Sequence, residues 1–376
     1  MNIALIIYGS LDMISGGYLY DRLLVDHLRK QGARVEIVSL PWRNYWRHLA
    51  DNFSSTVPKA VEAMAPDLLL QDELNHPSLF RTNRRLQETL KAPIIAIVHH
   101  LRCSEARPAL LNRLYRRVEK HYLETADGFI FNSETTRAVV RDVLGKDLPS
   151  VVAYPGGDHL GSRISTAKIV ERCRRPGPLR ILFTGNVIPR KGLDTLVLAL
   201  SRLAHENWQL TVAGSLSADA RYVSRIGRLI AGTGLDERVK LLDTIPPEQL
   251  IGLLESHHCL AVPSFYEGFG IVYLEAMGFG APVVASTAGA VPEVVDNGRE
   301  GLLVSPGDID ALTKAIGRLI RDRDLLLTMS LAARKRFLGH PTWAESAARV
   351  EEFLQETIRL KKAAAKKEGC AHGHSG

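Results

Sequence analysis

The chain has 376 residues, 45% of them hydrophobic and 24% charged, the make-up of a soluble globular protein with room for two sizeable cores. No apolar run approaches the ~18 residues of a membrane span, and Cys103, Cys173, Cys259 and Cys370 lack the spacing of a zinc site or a disulfide framework, which points to the cytoplasm. The net charge of +7 concentrates in residues 161–180 (+5) and 359–368 (+4) and leaves −2 for the rest, which argues against a nucleic-acid partner.

Short apolar runs at 2–8, 34–39, 67–71, 94–98, 128–131 and 150–154 alternate with helical patterns such as Tyr18 to Lys30 and Arg113 to Glu124. The first run has no basic start and no cleavage site, so it reads as a strand and not a signal peptide. The alternation predicts an α/β fold, with a parallel sheet covered by helices and ligands bound beyond the carboxyl ends of the strands.

After the first strand, Gly16 and Gly17 open a helix. Glycines there serve a plain turn, or let acceptor and donor phosphate approach the helix start. The Gly-x-Gly-x-x-Gly dinucleotide fingerprint is absent. The segment Pro41 to Leu49, read as a helix, puts Trp42, Tyr45, Trp46 and Leu49 on one face and Arg43 and Arg47 on another. That pattern suits an interfacial membrane segment, an aromatic acceptor platform, or a segment packed on its own domain. His99 and His100 end the fourth strand, where an imidazole can meet a sugar hydroxyl or a leaving-group oxygen. Ser133, after the fifth strand, equally suits a helix N-cap.

Residues 159–178 are polar and basic and read as an interdomain linker. Strands resume at Leu179 to Thr184, and the following turn carries Arg190 and Lys191 ahead of Gly192. Two adjacent cations at a helix start suit a diphosphate, or form a solvated pair. Gly214 ends the next strand-like run.

The richest stretch is Pro263 to Gly278, between the apolar run Cys259 to Val262 and a helix predicted over Ile271 to Phe279. Gly268 and Gly270 leave the backbone open to a ligand, and the amides from Gly268 through Phe269, Gly270 and Ile271 to Val272 offer an anion the positive end of the helix. Glu267 and Glu275 conflict with that anion unless the ligand also brings hydroxyls, as a sugar nucleotide does; the plain alternative is two solvated glutamates. Asp308 and Asp310 read as a helix cap, so no metal site is expected there. Thr342 to Leu360 is one amphipathic helix, and the tail to Gly376 is expected to be disordered, its Cys370, His372 and His374 lacking a fourth metal ligand.

The string Pro263 to Gly278 resembles the Glu-x7-Glu signature of the retaining family 4 glycosyltransferases, which have the GT-B fold. Gly16-Gly17, His99, Ser133, Tyr154 to Asp158, Lys191-Gly192, Gly214 and Ala288 to Glu293 are similar to the same family, and the resemblance runs from residue 1 to about 360. It implies two Rossmann-like domains with parallel sheets facing a central cleft: an acceptor-side domain over 1–158, the linker 159–178, a donor-binding domain over 179–340, a helix over 341–361 crossing back to the first domain, and the tail 362–376. The implied reaction moves a sugar from a nucleoside diphosphate sugar to an acceptor hydroxyl with retained configuration and no obligatory metal. Lys191 with Arg190 would neutralise the diphosphate, Glu275 hold the ribose, Glu267 the donor sugar, and His99 touch that sugar from the other domain, with the nucleotide base near Gly214. Asn186 stands where the family has an arginine, and Arg190 is its candidate substitute.

No protein nucleophile suits a double displacement, so front-face attack is the expected mechanism. The acceptor is open between a glycan, a glycolipid and a small molecule, with peripheral contact at the inner membrane face through Trp42 to Leu49 in the lipid-linked case. A sugar-nucleotide epimerase of the same fold and a non-catalytic sugar-nucleotide-binding protein are the rival readings.

Overall fold

A computed structural model describes residues 1–161 and 164–372, with residues 365–372 described by their backbone alone. Among the described residues, twelve strands form two six-stranded sheets. The first holds β1 (Asn2–Tyr8), β2 (Arg34–Leu40), β3 (Leu68–Asp72), β4 (Ile94–Val98), β5 (Gly128–Phe131) and β6 (Ser150–Val152). The second holds β7 (Leu179–Thr184), β8 (Trp208–Ala213), β9 (Val239–Leu242), β10 (Cys259–Val262), β11 (Val283–Ser286) and β12 (Gly301–Val304). Every pairing is parallel, in the orders β2-β1-β3-β4-β5-β6 and β12-β11-β10-β7-β8-β9.

Parallel sheets covered on both faces demand strands apolar on both faces. The wholly buried β3, β4, β5, β10 and β11 meet that demand. The strand order turns back between β1 and β3 and again between β7 and β10. Loops diverge at such switch points and leave a crevice at the carboxyl ends.

The chain forms two compact units, one of residues 1–155 with 343–376 and the other of residues 156–342. The stretch 159–178 differs from the linker expected there. It contains the helix Thr166–Arg174, with Ile169, Arg172 and Cys173 buried. The Arg172 guanidinium donates to the carbonyls of Leu254, Glu255 and Gly280 at 3.1, 3.3 and 2.6 Å, closing backbone groups that would otherwise be orphaned. A basic composition thus conceals a packed element.

The last helix, Trp343–His372, belongs to the first unit. Ser346 Oγ donates to the Tyr154 carbonyl at 2.5 Å, His27 Nε2 lies 3.0 Å from Glu351, and Lys361 meets Asp127 at 2.8 Å. The tail expected to be disordered from 362 is helical as far as His372. Lys362 pairs with Asp67 at 2.8 Å. The side chains of Cys370, His372 and His374 lie outside the described residues. Among the described residues, no helix is long and apolar enough to cross a membrane.

Candidate active site

In the second unit β7 and β10 are neighbours, with Leu182 opposite Leu260, so their carboxyl-end loops leave the sheet side by side. The β7 loop makes a tight turn, Pro189–Lys191, closed by Gly192 at φ +70°. A Cβ on Gly192 would overlap the carbonyl of Pro263, so only glycine allows the two loops to touch. The contact delivers Lys191 Nζ to 2.5 Å from Glu267 Oε1. Arg190 Nη1 donates to the Tyr266 carbonyl at 2.6 Å and lies 3.5 Å from Glu267 Oε2. Ser264 Oγ donates to Glu267 Oε1 at 2.6 Å. Burial opposes charge on Glu267, but Lys191 and Arg190 outweigh it and bring its pKa down to about 2. Burial also lowers the Lys191 pKa, against the pull of Glu267.

The backbone of Glu267 is pinned from behind, because Ala290 N–H donates to its carbonyl at 3.0 Å. Gly289, at φ +63°, has no room for a Cβ against the same carbonyl. Gly270, at φ +95°, precedes the helix Ile271–Gly278, whose start no side chain caps. Tyr273 packs where a Gly270 Cβ would fall and donates its hydroxyl to the Val262 carbonyl at 3.0 Å. Glu275 follows on that helix, buried, with Oε1 3.1 Å from His159 Nε2. Gly214 is also required within the protein itself: a Cβ there would overlap the carbonyl of Gly185. Gly185 in turn faces the Lys191 side chain, with its Cβ position 3.5 Å from Lys191 Cε.

In the first unit, His99 follows β4 and is held at every polar atom of its backbone. Its N–H donates to Glu73 Oε2 at 3.0 Å, and its carbonyl accepts from Asn132 Nδ2 at 2.9 Å. Its ring nitrogen Nε2 lies 3.2 Å from Asp21 Oδ1, and the ring meets Tyr20 edge-on at 5.3 Å. Gly17 faces the ring, and a Cβ there would sit 3.0 Å from His99 Cδ2. Gly16 starts the same helix, Gly16–Lys30, whose N-cap is Ser15. Burial works against an imidazolium at His99, but Asp21, Asp72 and Glu73 overcome it and raise the pKa to about 9. Burial, reinforced by Asp21, pushes the Asp72 carboxyl up. Asp21 Oδ2 and Asp72 Oδ2 are buried without a donor. Asp21, Asp72 and His99 each offer a ligand atom within 4.8 Å of the others, so a proton or a small cation would satisfy both oxygens. Neither Asp21 nor Asp72 stands in a recognisable motif; the signal available in the sequence was the pair Gln71-Asp72 at the end of the apolar run Leu68 to Leu70.

His100 pairs with Glu105 at 3.2 Å, Ser133 caps the helix Glu134–Leu144, and Asp308 caps the helix Ile309–Arg321 by accepting from Ala311 N at 2.9 Å. The aromatic segment departs from its expected geometry. The helix spans Tyr45–Asp51, so Trp42 precedes it. Trp42 packs on Tyr8 with ring centroids 5.2 Å apart and over Gly9, and is 49% exposed; Trp46 is 58% exposed.

Two family models match the chain in succession: "Glycosyltransferase Family 4" over residues 19–159 and "Glycosyl transferases group 1" over residues 168–336. The chain belongs to the family 4 glycosyltransferases. It is 32% identical over 252 residues to D-inositol 3-phosphate glycosyltransferase of Corynebacterium jeikeium, an alignment covering 63% of this chain and 59% of that protein. It is 33% identical over 187 residues to the GDP-mannose-dependent alpha-(1-6)-phosphatidylinositol monomannoside mannosyltransferase of Mycolicibacterium smegmatis, covering 46% and 47%. The chain thus spans about half to three fifths of the length of these curated relatives. Among solved structures, sucrose-phosphate synthase from Thermosynechococcus elongatus superposes with a TM-score of 0.83 at 23% identity, covering 96% of this chain and 99% of that one. HepE of Anabaena, solved with UDP and glucose, superposes with a TM-score of 0.77 at 20% identity, covering 95% and 100%. Both likenesses establish the GT-B fold.

Proposed function

We propose that this protein transfers a sugar from a nucleoside diphosphate sugar to an acceptor hydroxyl with retention of anomeric configuration. The observation that carries the reading is the pairing of Lys191 with Glu267, brought together from two neighbouring strand ends and flanked by Arg190, Ser264 and Glu275. Lys191 and Arg190 meet the diphosphate and the charge that grows on it as the glycosidic bond breaks, and this electrostatic stabilisation supplies most of the rate. Arg190 takes over from the arginine that Asn186 replaces. Glu267 orients the donor sugar, with amides near Gly268, Phe269 and Gly270 serving sugar and phosphate; Glu275 takes the ribose. His99, held as an imidazolium, serves a hydroxyl of the donor sugar. The phosphate accepts the proton of the attacking hydroxyl on the same face, so the reaction requires neither a protein nucleophile nor an obligatory metal.

The structural neighbour solved with UDP and glucose supports a nucleoside diphosphate sugar as co-substrate. The relative named for a phosphatidylinositol monomannoside supports a lipid-linked acceptor, met from the cytoplasmic side by a peripheral contact through Trp42 and Trp46. Hydrolysis and transfer across a panel of nucleoside diphosphate sugars test the reading: turnover of at least one donor is expected, and no turnover of any would remove it.

A further inference from the structure

Asp21 and Asp72 reach His99 from two different elements of the first unit. Asp21 lies on the helix Gly16–Lys30, and Asp72 ends β3 opposite Ile97, two residues before His99. Both aspartates are 0% exposed. Each has one committed oxygen: Asp21 Oδ1 lies 3.2 Å from His99 Nε2, and Asp72 Oδ1 accepts from Leu74 N–H at 2.8 Å. The other oxygen of each, Oδ2, is buried without a donor. An unpaired buried acceptor is costly, most of all when it carries charge.

The donors nearby are already spent. The Tyr18 hydroxyl donates to the Tyr8 carbonyl at 2.6 Å, and the Tyr20 hydroxyl to the Ala153 carbonyl at 3.1 Å. Asn75 Nδ2 serves the carbonyls of Ile6 and Asp72, at 3.2 and 3.1 Å. The His99 N–H goes to Glu73, and the buried Tyr122 hydroxyl makes no hydrogen bond among the described residues.

The charges point the same way. Asp21, Asp72 and Glu73 face one cation, the His99 imidazolium. Glu119, which also acts on Glu73, is matched by Arg102. Burial pushes the Asp72 carboxyl up, and Asp21 adds to this by its charge and by its hydrogen bond to Asp72. Burial and Asp72 push Glu73 up as well. Tyr18, Tyr20 and Tyr122, which also face these carboxylates, are raised by burial and stay neutral. Two carboxyl groups in hydrogen-bond contact do not both ionise, and a proton held between them belongs to the pair. One such proton satisfies both orphaned oxygens and leaves a single negative charge, equal and opposite to that of His99.

We propose that Asp21 and Asp72 share one proton between their Oδ2 atoms and act as a singly charged positioning pair for His99, fixing Nε2 and leaving Nδ1–H for the donor sugar. The shared proton stands on the first unit alone, whereas the role of Nδ1 rests on the glycosyltransferase reading. A small cation held by the same oxygens is the competing occupant.

Infrared spectroscopy of the full chain at neutral pH, with isotope-labelled aspartate carboxyls, tests the proposal. One protonated carboxyl band is expected, shifted by the aspartate label and so distinct from Glu73. Its loss is expected in Asp72→Asn and also in Asp21→Asn, because either amide supplies an N–H in place of the shared proton. Thermal melts check that both variants are folded. The His99 midpoint of about 9 should persist in Asp72→Asn, where Asp21 keeps its charge, and fall in Asp21→Asn. Absence of the band in the unaltered protein would overturn the proposal. Its persistence in folded Asp21→Asn would do so too, since burial alone would then protonate Asp72. Equal falls of the His99 midpoint in both variants, or one equivalent of metal ion retained after dialysis and lost in Asp72→Asn, would also overturn it. With a donor in hand, its KM should rise as pH passes about 9, and at lower pH in Asp21→Asn; a KM indifferent to pH there would remove the role of Nδ1. Absence of any turnover beside an intact band would count against the transferase reading alone.

Discussion

Glu275 Oε1 lies 3.1 Å from Nε2 of His159, which ties the second glutamate of the Pro263 to Gly278 string to the segment where the chain enters the second unit. The pairing engages one carboxylate oxygen and fixes the direction of the other. Replacing His159 by Ala is expected to raise the donor KM several-fold with kcat little changed, because a loosened Glu275 binds ribose less well in ground state and transition state alike. An unchanged KM would show that His159 does not position Glu275.

Lys191→Ala is expected to abolish transfer and also to lower stability. A sequence reading takes Lys191 for an exposed residue, but its side chain is 12% exposed and closes on a buried carboxylate. Removing the ammonium leaves Glu267 with Ser264 and Arg190, and costs about 1.5–3 kcal/mol, the range of a hydrogen bond to a charged group. Denaturant midpoints of the two proteins check the stability, and transfer assays the activity. Full activity in folded Lys191→Ala would remove it from the catalytic assignment.

Gly289→Ala should be more damaging than its distance from the motif suggests. The φ of +63° costs a residue with a Cβ about 1–3 kcal/mol, and that Cβ collides with the Glu267 carbonyl. A lower melting temperature together with a lower kcat is expected. A wild-type melting temperature would show that the Glu267 loop adapts at little cost.

The His99 proton gives a pH signature. Its folded pKa, raised to about 9, lies above the ordinary 6.5, so the folded state binds the proton more tightly than the unfolded chain does. The stability it contributes is complete below pH 6.5 and is lost as pH rises through about 9. The buried His76, His257 and His258 have pKa values lowered by burial, so their effect falls below pH 6.5, whereas burial raises the Cys103 and Cys259 thiols, which remove stability only as pH rises past their ordinary value of 9.0. Titration of the His99 ring proton by NMR should give a midpoint near 9, falling in Asp21→Asn. A midpoint near 6.5 in the unaltered protein would contradict the account of Asp21.

Much of this arrangement was legible in the sequence, for physical reasons. Strand runs such as 94–98 and 128–131 coincide with β4 and β5 because a doubly covered parallel strand leaves no place for polar residues. Lys191 and Glu267 could be singled out because each lies in a local loop with its own glycine. What escaped were relations across the chain. Asp21 meets His99 from 78 positions away, and neither the aspartate nor the helix around it announces a partner. Gly17 was read as a plain turn or as room for phosphate, and that its Cβ position faces the His99 ring could not be read from the local string. Arg172 looked like linker charge because a buried arginine that closes carbonyl groups has the same letter as a solvated one. Trp42 was placed on a helix that starts three residues later, with Asn44 as its N-cap.

Asn186 leaves the β7 loop without one cation, for which Arg190 is the candidate substitute. Arg190→Ala is expected to raise the donor KM by about tenfold, the ~1.4 kcal/mol of one charge-assisted contact. An unchanged KM would leave Lys191 as the sole diphosphate cation in this account.

The stereochemical outcome tests the central claim most directly. In the proposed function Glu267 and Glu275 serve the donor, and His99 is tied to Asp21, so that reading assigns no base to the far face of the sugar. Front-face attack then gives an α-linked product from an α-linked donor. With a donor and acceptor in hand, the anomeric proton coupling of the product by NMR is the measurement. An α-coupling is predicted; a β-linked product from an α-donor would contradict both the mechanism and the roles given to Lys191, Glu267 and His99.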